Sequence, residues 1–230
     1  MNGLFQNSVF LGVMLTLGSY GLGMVLKRKT GWSIMNPLLV AIALVIVFLL
    51  LSGVSYERYS EGTTIISYLL TPSTICLAVP LYQQVEQLKK NYKAVLAGIL
   101  SGVLSSMVTV LVLALLFHFD HAAYVTFLPK SITTAIGMGV AKELGGYVSV
   151  TVVVIIITGV LGNIFAEKFL ALLSIREPVA RGIAIGSASH AIGTAKAMEM
   201  GSVEGAMSGL SIVVSGILTV FGAMLFSVFV

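Results

Sequence analysis

The 230-residue chain carries 57% hydrophobic and only 10% charged residues, with a mean hydropathy of +1.04. One soluble core cannot enclose that much apolar surface, so the composition excludes an ordinary soluble domain and predicts an all-α polytopic membrane protein. The net charge of +4 lies in short loops with no basic run longer than three residues, which argues against nucleic-acid binding and makes the charge a report on membrane orientation.

The first ten residues lack a positive leader, and Lys27, Arg28 and Lys29 follow the first apolar run instead of preceding it, so that run is expected to stay as a helix. Apolar runs long enough to span a bilayer cover Leu4–Leu26, Pro37–Val54, Ala94–Phe117, Tyr147–Ala166 and Ala206–Val230. Thr64–Val85 is also long enough, but Pro72 and Pro80 each remove a backbone donor and predict a broken span. Two further stretches, Val125–Gly146 and Gly182–Gly205, are dense in Gly, Ser and Thr and hold ionisable groups that lipid would not tolerate, so they should face protein or water. The expected architecture is about six spanning helices plus two re-entrant or broken segments. They form a single membrane domain over residues 1–230, divisible at 1–62, 63–124, 125–181 and 182–230.

Those last two stretches are copies of each other. Ser131, Thr133, Ala135, Ile136, Gly137, Ala141, Glu143 and Gly145 recur 56 positions later as Ser187, Ser189, Ala191, Ile192, Gly193, Ala197, Glu199 and Gly201. Loop charges orient them. Lys27 to Lys29, Lys89, Lys90, Lys93, Lys168, Arg176 and Arg181 mark cytoplasmic loops, whereas Glu57, Glu61 and Asp120 mark outer ones. An odd number of crossings must separate Asp120 from Lys168. One helix plus a re-entrant first copy gives that odd count, although the sequence leaves open whether each copy spans or re-enters; the second copy is then expected to enter from the opposite face, making an inverted pair with both chain termini extracytoplasmic.

Lys130, Lys142, Glu143, Lys196, Glu199 and His190 are ionisable groups within the copies, and such groups in a membrane read by default as a substrate or ion path. Lys196 and Glu199, three apart on one helix face, can pair; Glu143 and Glu199 align between copies and are candidates for proton or charge coupling. Snorkelling charges at an interfacial turn are the competing reading for Lys142 and Glu143. Ser131, Thr133 and Thr134 after Pro129 and Lys130, and Ser187, Ser189, His190 and Thr194, put hydroxyls where half-helices should begin, with Gly137 and Gly193 as further break points. Thr71, Ser73 and Thr74 offer a third such start. Free backbone N–H groups and the helix dipole favour an anion there, and a small carboxylate is the natural guest. Close helix packing is the alternative use of so much Ser, Thr and Gly.

Ser189 and His190 superficially suggest a hydrolase, but neighbours on a helix point about 100° apart and cannot form the nucleophile–base hydrogen bond. No metal motif occurs, the methionines suit flexible packing, and no cofactor is implied. The single cysteine, Cys76, permits no intrachain disulfide.

The wording of Leu70-Thr71-Pro72-Ser73-Thr74, Ala78-Val79-Pro80-Leu81-Tyr82, Pro129-Lys130-Ser131-Ile132-Thr133-Thr134 and Ser187-Ala188-Ser189-His190-Ala191-Ile192-Gly193-Thr194 resembles the LrgB/CidB family over the whole chain. That resemblance implies a bacterial cytoplasmic-membrane protein named for antiholin-like control of murein hydrolases and autolysis, acting with a smaller LrgA/CidA-type membrane subunit. The chain is also similar to the C-terminal half of the plastid glycolate/glycerate translocator and to bacterial uptake systems for pyruvate and related monocarboxylates. Between these readings the duplicated, charge-bearing segments favour transport of a small monocarboxylate over lesion formation, and a homo-oligomer is expected.

Overall fold

The computed structural model describes residues 9–31, 35–69, 72, 75–76 and 78–230, and no strand occurs among them. Thr71, Ser73 and Thr74, the third half-helix start expected from sequence, lie outside the described residues. Contacts divide the chain into two units, Met1–Cys76 and Leu77–Val230.

In the first unit α1 (Val9–Thr30) and α2 (Pro37–Ser52) pack together, followed by the short helices α3 (Tyr56–Gly62) and α4 (Thr64–Tyr68). The start of α2 is written in its sequence: Asn36 accepts hydrogen bonds from the backbone of Leu38 and Leu39, and Pro37 occupies the first turn, where its missing donor costs nothing. Gly53 closes the helix in the left-handed region (φ 66°). Close approach of α1 to α2 depends on Gly23, where a Cβ would lie 2.7 Å from the Pro37 carbonyl oxygen.

The second unit holds α5 (Ala78–Gln83), α6 (Val85–Leu116), α7 (His121–Phe127), α8 (Thr134–Glu143), α9 (Val148–Leu172), α10 (Pro178–Met200), α11 (Ser202–Phe226) and a final 3-10 turn, Ser227–Phe229. Helices α1, α6, α9 and α11 are each long and apolar enough to cross a bilayer, whereas α2 is shorter. Pro80 lies within α5.

Both repeat copies fold back on themselves. In the first, α7 and α8 are joined through residues 128–133, and their outer ends meet: the His121 ring at the start of α7 contacts the main-chain oxygen of Leu144 beyond α8, 3.3 Å away, and that of Val230, 2.8 Å away. Thr126 ties this hairpin to the start of α9, accepting from Tyr147 N at 2.7 Å and receiving the Thr151 hydroxyl on its carbonyl. In the second copy α10 reverses at His190, whose backbone (φ 42°, ψ −143°) is non-helical. Residues 178–189 and 191–200 become two arms, and a Cβ on Gly193 would lie 3.1 Å from Ile185, eight residues back, where a straight helix would separate them by about 12 Å.

The mouth of the second hairpin sits at the other end of α9. Lys196 pairs with Glu167 at 2.8 Å, and Arg181 with Glu204, at the start of α11, at 3.5 Å. Leu170, Ile185 and Ala197 form a small apolar cluster beneath that mouth. A larger cluster, built on Val95, Ile99, Val103 and Met107 of α6 with Tyr124, Leu128 and Met207, makes the main core.

Candidate functional site

The tips of the two hairpins converge on the middle of α9 and α6. His190 Nε2 lies 3.0 Å from the carbonyl oxygen of Ile155, a fully buried residue, and the same isoleucine packs on Gly137 of the first hairpin. A positive φ on a non-glycine residue costs on the order of 1–3 kcal/mol, so the reversal at His190 must be held by its surroundings. Asn163 donates to the Ile192 carbonyl at 2.7 Å, and Thr194 donates to the His190 carbonyl at 2.9 Å while sharing a 2.7 Å hydroxyl contact with Ser208. These bonds, each contributing roughly 1 kcal/mol, offset that strain. Gly159 and Gly162 clear the space: a Cβ on Gly159 would stand 2.7 Å from the His190 ring, and one on Gly162 would run into Ser189.

Beside these tips runs a cavity of about 820 Å³ between α6, the first arm of α10 and the tip of the first hairpin. Along α6 it extends from Asn91 to Thr109, about 27 Å of helix axis. Glu177 stands with Asn91 toward one end; Lys130 and Ser131 stand with Ser106 and Thr109 toward the other. The arm shows it Val179, Ile183, Ser187 and their neighbours, one face at helical spacing.

The aligned serines of the two copies meet α6 on successive turns. A Cβ on Gly102 would lie 2.9 Å from Ser187 Oγ, so the glycine lets that serine approach the helix, and Ser106 Oγ lies 3.2 Å from Ser131 Oγ. Lys130 Nζ donates to Ser131 Oγ at 3.0 Å, whereas the Ser187 hydroxyl donates to the Ile183 carbonyl at 2.7 Å. Lys130 is therefore the cation of the inner end, and Glu177 is the carboxylate of the other.

Of the residues singled out from sequence, Lys130, Ser131 and Ser187 line this cavity. Thr133 and Thr134 stand at the cap and first position of α8. Ser189, His190 and Thr194 are buried and do not line it, with His190 turned to α9 and Thr194 to α11. Glu143 is exposed at the end of α8, and Lys196 and Glu199 pair at 3.4 Å at the mouth of the second hairpin, Glu199 with its side chain 55% exposed. Pro129 is buried in the turn of the first hairpin, and Pro72 is exposed. Gly137 and Gly193 sit inside helices, one turn past the reversals; their role is to admit Ile155 and Ile185. Sequence reasoning passed over the hydroxyl face of α6, where Ser101, Ser105 and Thr109 recur every four residues beside Gly98, Gly102 and Ser106. Four-residue spacing of small and polar residues inside an apolar span was its signal.

Among the described residues no group of three His, Cys, Asp or Glu side chains could hold a metal ion. Fold and site together define an all-helical protein with four described helices long and apolar enough to cross a membrane, and an open cavity of small, apolar and hydroxyl side chains where two helical hairpins meet α6. Residues 16–229 match the LrgB-like family, and the chain belongs to that family. It is 37% identical over 214 residues to "Antiholin-like protein LrgB" of Bacillus subtilis (strain 168), covering 93% of each chain. It is 36% identical over 222 residues to the protein of the same name in Bacillus cereus (strain B4264), covering 96% of each. No solved structure matches it.

Proposed function

We propose that the chain is a membrane carrier for small monocarboxylates, in which two inverted hairpins expose one anion site alternately to the two faces of the bilayer. The observation that carries this reading is the convergence of Ser131 and Ser187, the aligned serines of the two copies, on one cavity that also holds Lys130. A lesion-forming protein has no use for such a site. Lys89, Lys90, Lys93, Lys168 and Arg176 lie toward the Asn91 and Glu177 end, so loop charge assigns that opening to the cytoplasm and the Val230 end to the outside. Coupling to protons is assigned to the aligned Glu143 and Glu199 with Lys196, at the two hairpin mouths. An LrgA/CidA-type subunit and a homo-oligomeric assembly complete the expected carrier.

The names of the relatives favour a second reading, an antiholin-like regulator of murein hydrolase activity and autolysis. Uptake of labelled pyruvate, glycolate and lactate into proteoliposomes, with and without the partner subunit, separates the two. Saturable uptake supports the carrier; absence of all three fluxes with the partner present supports the regulator.

A further inference from the structure

A count of hydrogens at the inner end of the cavity extends the carrier reading, on which it rests. Lys130 offers three N–H donors, Ser106 and Ser131 one O–H each. One ammonium hydrogen goes to Ser131 Oγ at 3.0 Å, and one hydroxyl hydrogen bridges Ser131 and Ser106 at 3.2 Å. Whichever serine donates in that bridge, one hydroxyl hydrogen and two ammonium hydrogens have no acceptor among the described residues of this cluster. Because Ser131 already accepts from the ammonium, the arrangement with every lone pair best used has Ser131 donating and Ser106 holding the free hydrogen. Ser101 and Thr109 differ in this respect, since their hydroxyls donate to the Gly98 and Ser105 carbonyls at 2.9 and 2.7 Å.

A cluster with surplus donors calls for a ligand that only accepts, and an ionised carboxylate is one. Lys130 Nζ and Ser106 Oγ each bond Ser131 Oγ and so lie within about 6 Å of each other. Two hydrogen bonds of about 2.8 Å, one to each oxygen of a single carboxylate, span that gap. We infer that Ser106 on α6 is a ligand-binding residue, closing with Lys130 a two-point clamp on one carboxylate, while Ser131 positions both. The clamp joins the hairpin tip to α6, so a bound anion ties together two elements that the chain connects only through the outer end of the bundle. One cation opposite one carboxylate also favours a monoanion over a dicarboxylate, whose second charge would face the hydroxyls of Ser101 and Ser105 with no counter-charge.

Calorimetric titration of the purified full-length protein with pyruvate, succinate and the uncharged methyl pyruvate tests the clamp without requiring transport. The wild-type protein should bind pyruvate and neither of the others. Ser106→Ala should weaken pyruvate binding about tenfold in protein that still melts cooperatively without ligand, and Ser106→Thr, which keeps the hydroxyl, should recover most of it. Wild-type affinity in Ser106→Ala overturns the inference, as does equal weakening in the Thr variant, which would mark packing as the cause. Absence of pyruvate binding in the wild-type protein also overturns it. Binding that follows this pattern without any uptake by proteoliposomes would sink the carrier and leave the clamp standing.

Discussion

Replacing Lys130 by Ala should damage anion recognition far more than replacing Glu143 by Gln. Lys130 is half-buried where the first hairpin meets the cavity and donates to Ser131 at 3.0 Å, whereas Glu143 is exposed at the outer end of α8 and lines no part of the cavity. Removing the ammonium deletes a hydrogen bond to a charged ligand, on the order of 1.5–3 kcal/mol, which corresponds to about a 10- to 150-fold rise in the half-saturating pyruvate concentration. Glu143→Gln removes a surface charge roughly a hairpin's length from the site and should shift that concentration by less than about twofold at physiological salt. Concentration-dependent uptake into proteoliposomes, at constant protein orientation and membrane potential, measures both. Equal effects of the two substitutions would refute the assignment of Lys130 as counter-charge, and so would a large fall in maximal rate with no change in half-saturation.

Glycine packing gives a pair of substitutions of opposite sign. Gly186→Ala forces a Cβ against the Ser208 backbone of α11, whose Cα would stand 2.8 Å away and cannot swing aside, and should destabilise the protein by about 1–3 kcal/mol in thermal melts in detergent. Gly139→Ala meets nothing within 4 Å and should leave stability unchanged or raise it by about 0.5–1 kcal/mol. Hairpin topology predicts that, in a Cys76→Ser background, cysteines at Gly139 and Ala195 react with an impermeant maleimide from opposite sides of the membrane; labelling from one side only contradicts the inverted arrangement.

Hydropathy made α6, α9 and α11 legible because a bilayer imposes length and apolarity together, and the 56-residue repeat identified the two segments that depart from that rule. The reversals fall close together in the repeat, over residues 128–133 in one copy and at His190, which aligns with Thr134, in the other. Side-chain direction was not legible. His190 reads in sequence as a cavity cation beside hydroxyls, yet the reversal of its own backbone aims the ring at Ile155, a consequence of φ and ψ that residue type does not encode. Ser106 escaped notice for the opposite reason. It sits in a strongly apolar helix, and only the arrival of Ser131 from 25 residues away gives its hydroxyl a partner.

The depth of the cavity has an electrical consequence. In the proposed carrier, a cavity that runs some 27 Å along α6 would admit water from one face and carry the potential of that aqueous phase almost to the tip of the first hairpin. Beyond Thr109 only about 10 Å of α6 remains, so in that carrier most of the transmembrane voltage would fall across this short stretch. In the proposed carrier an anion at Lys130 would have crossed little of the field, and its passage past the first hairpin, at about 2.3 kcal/mol per 100 mV, would be the voltage-sensitive step.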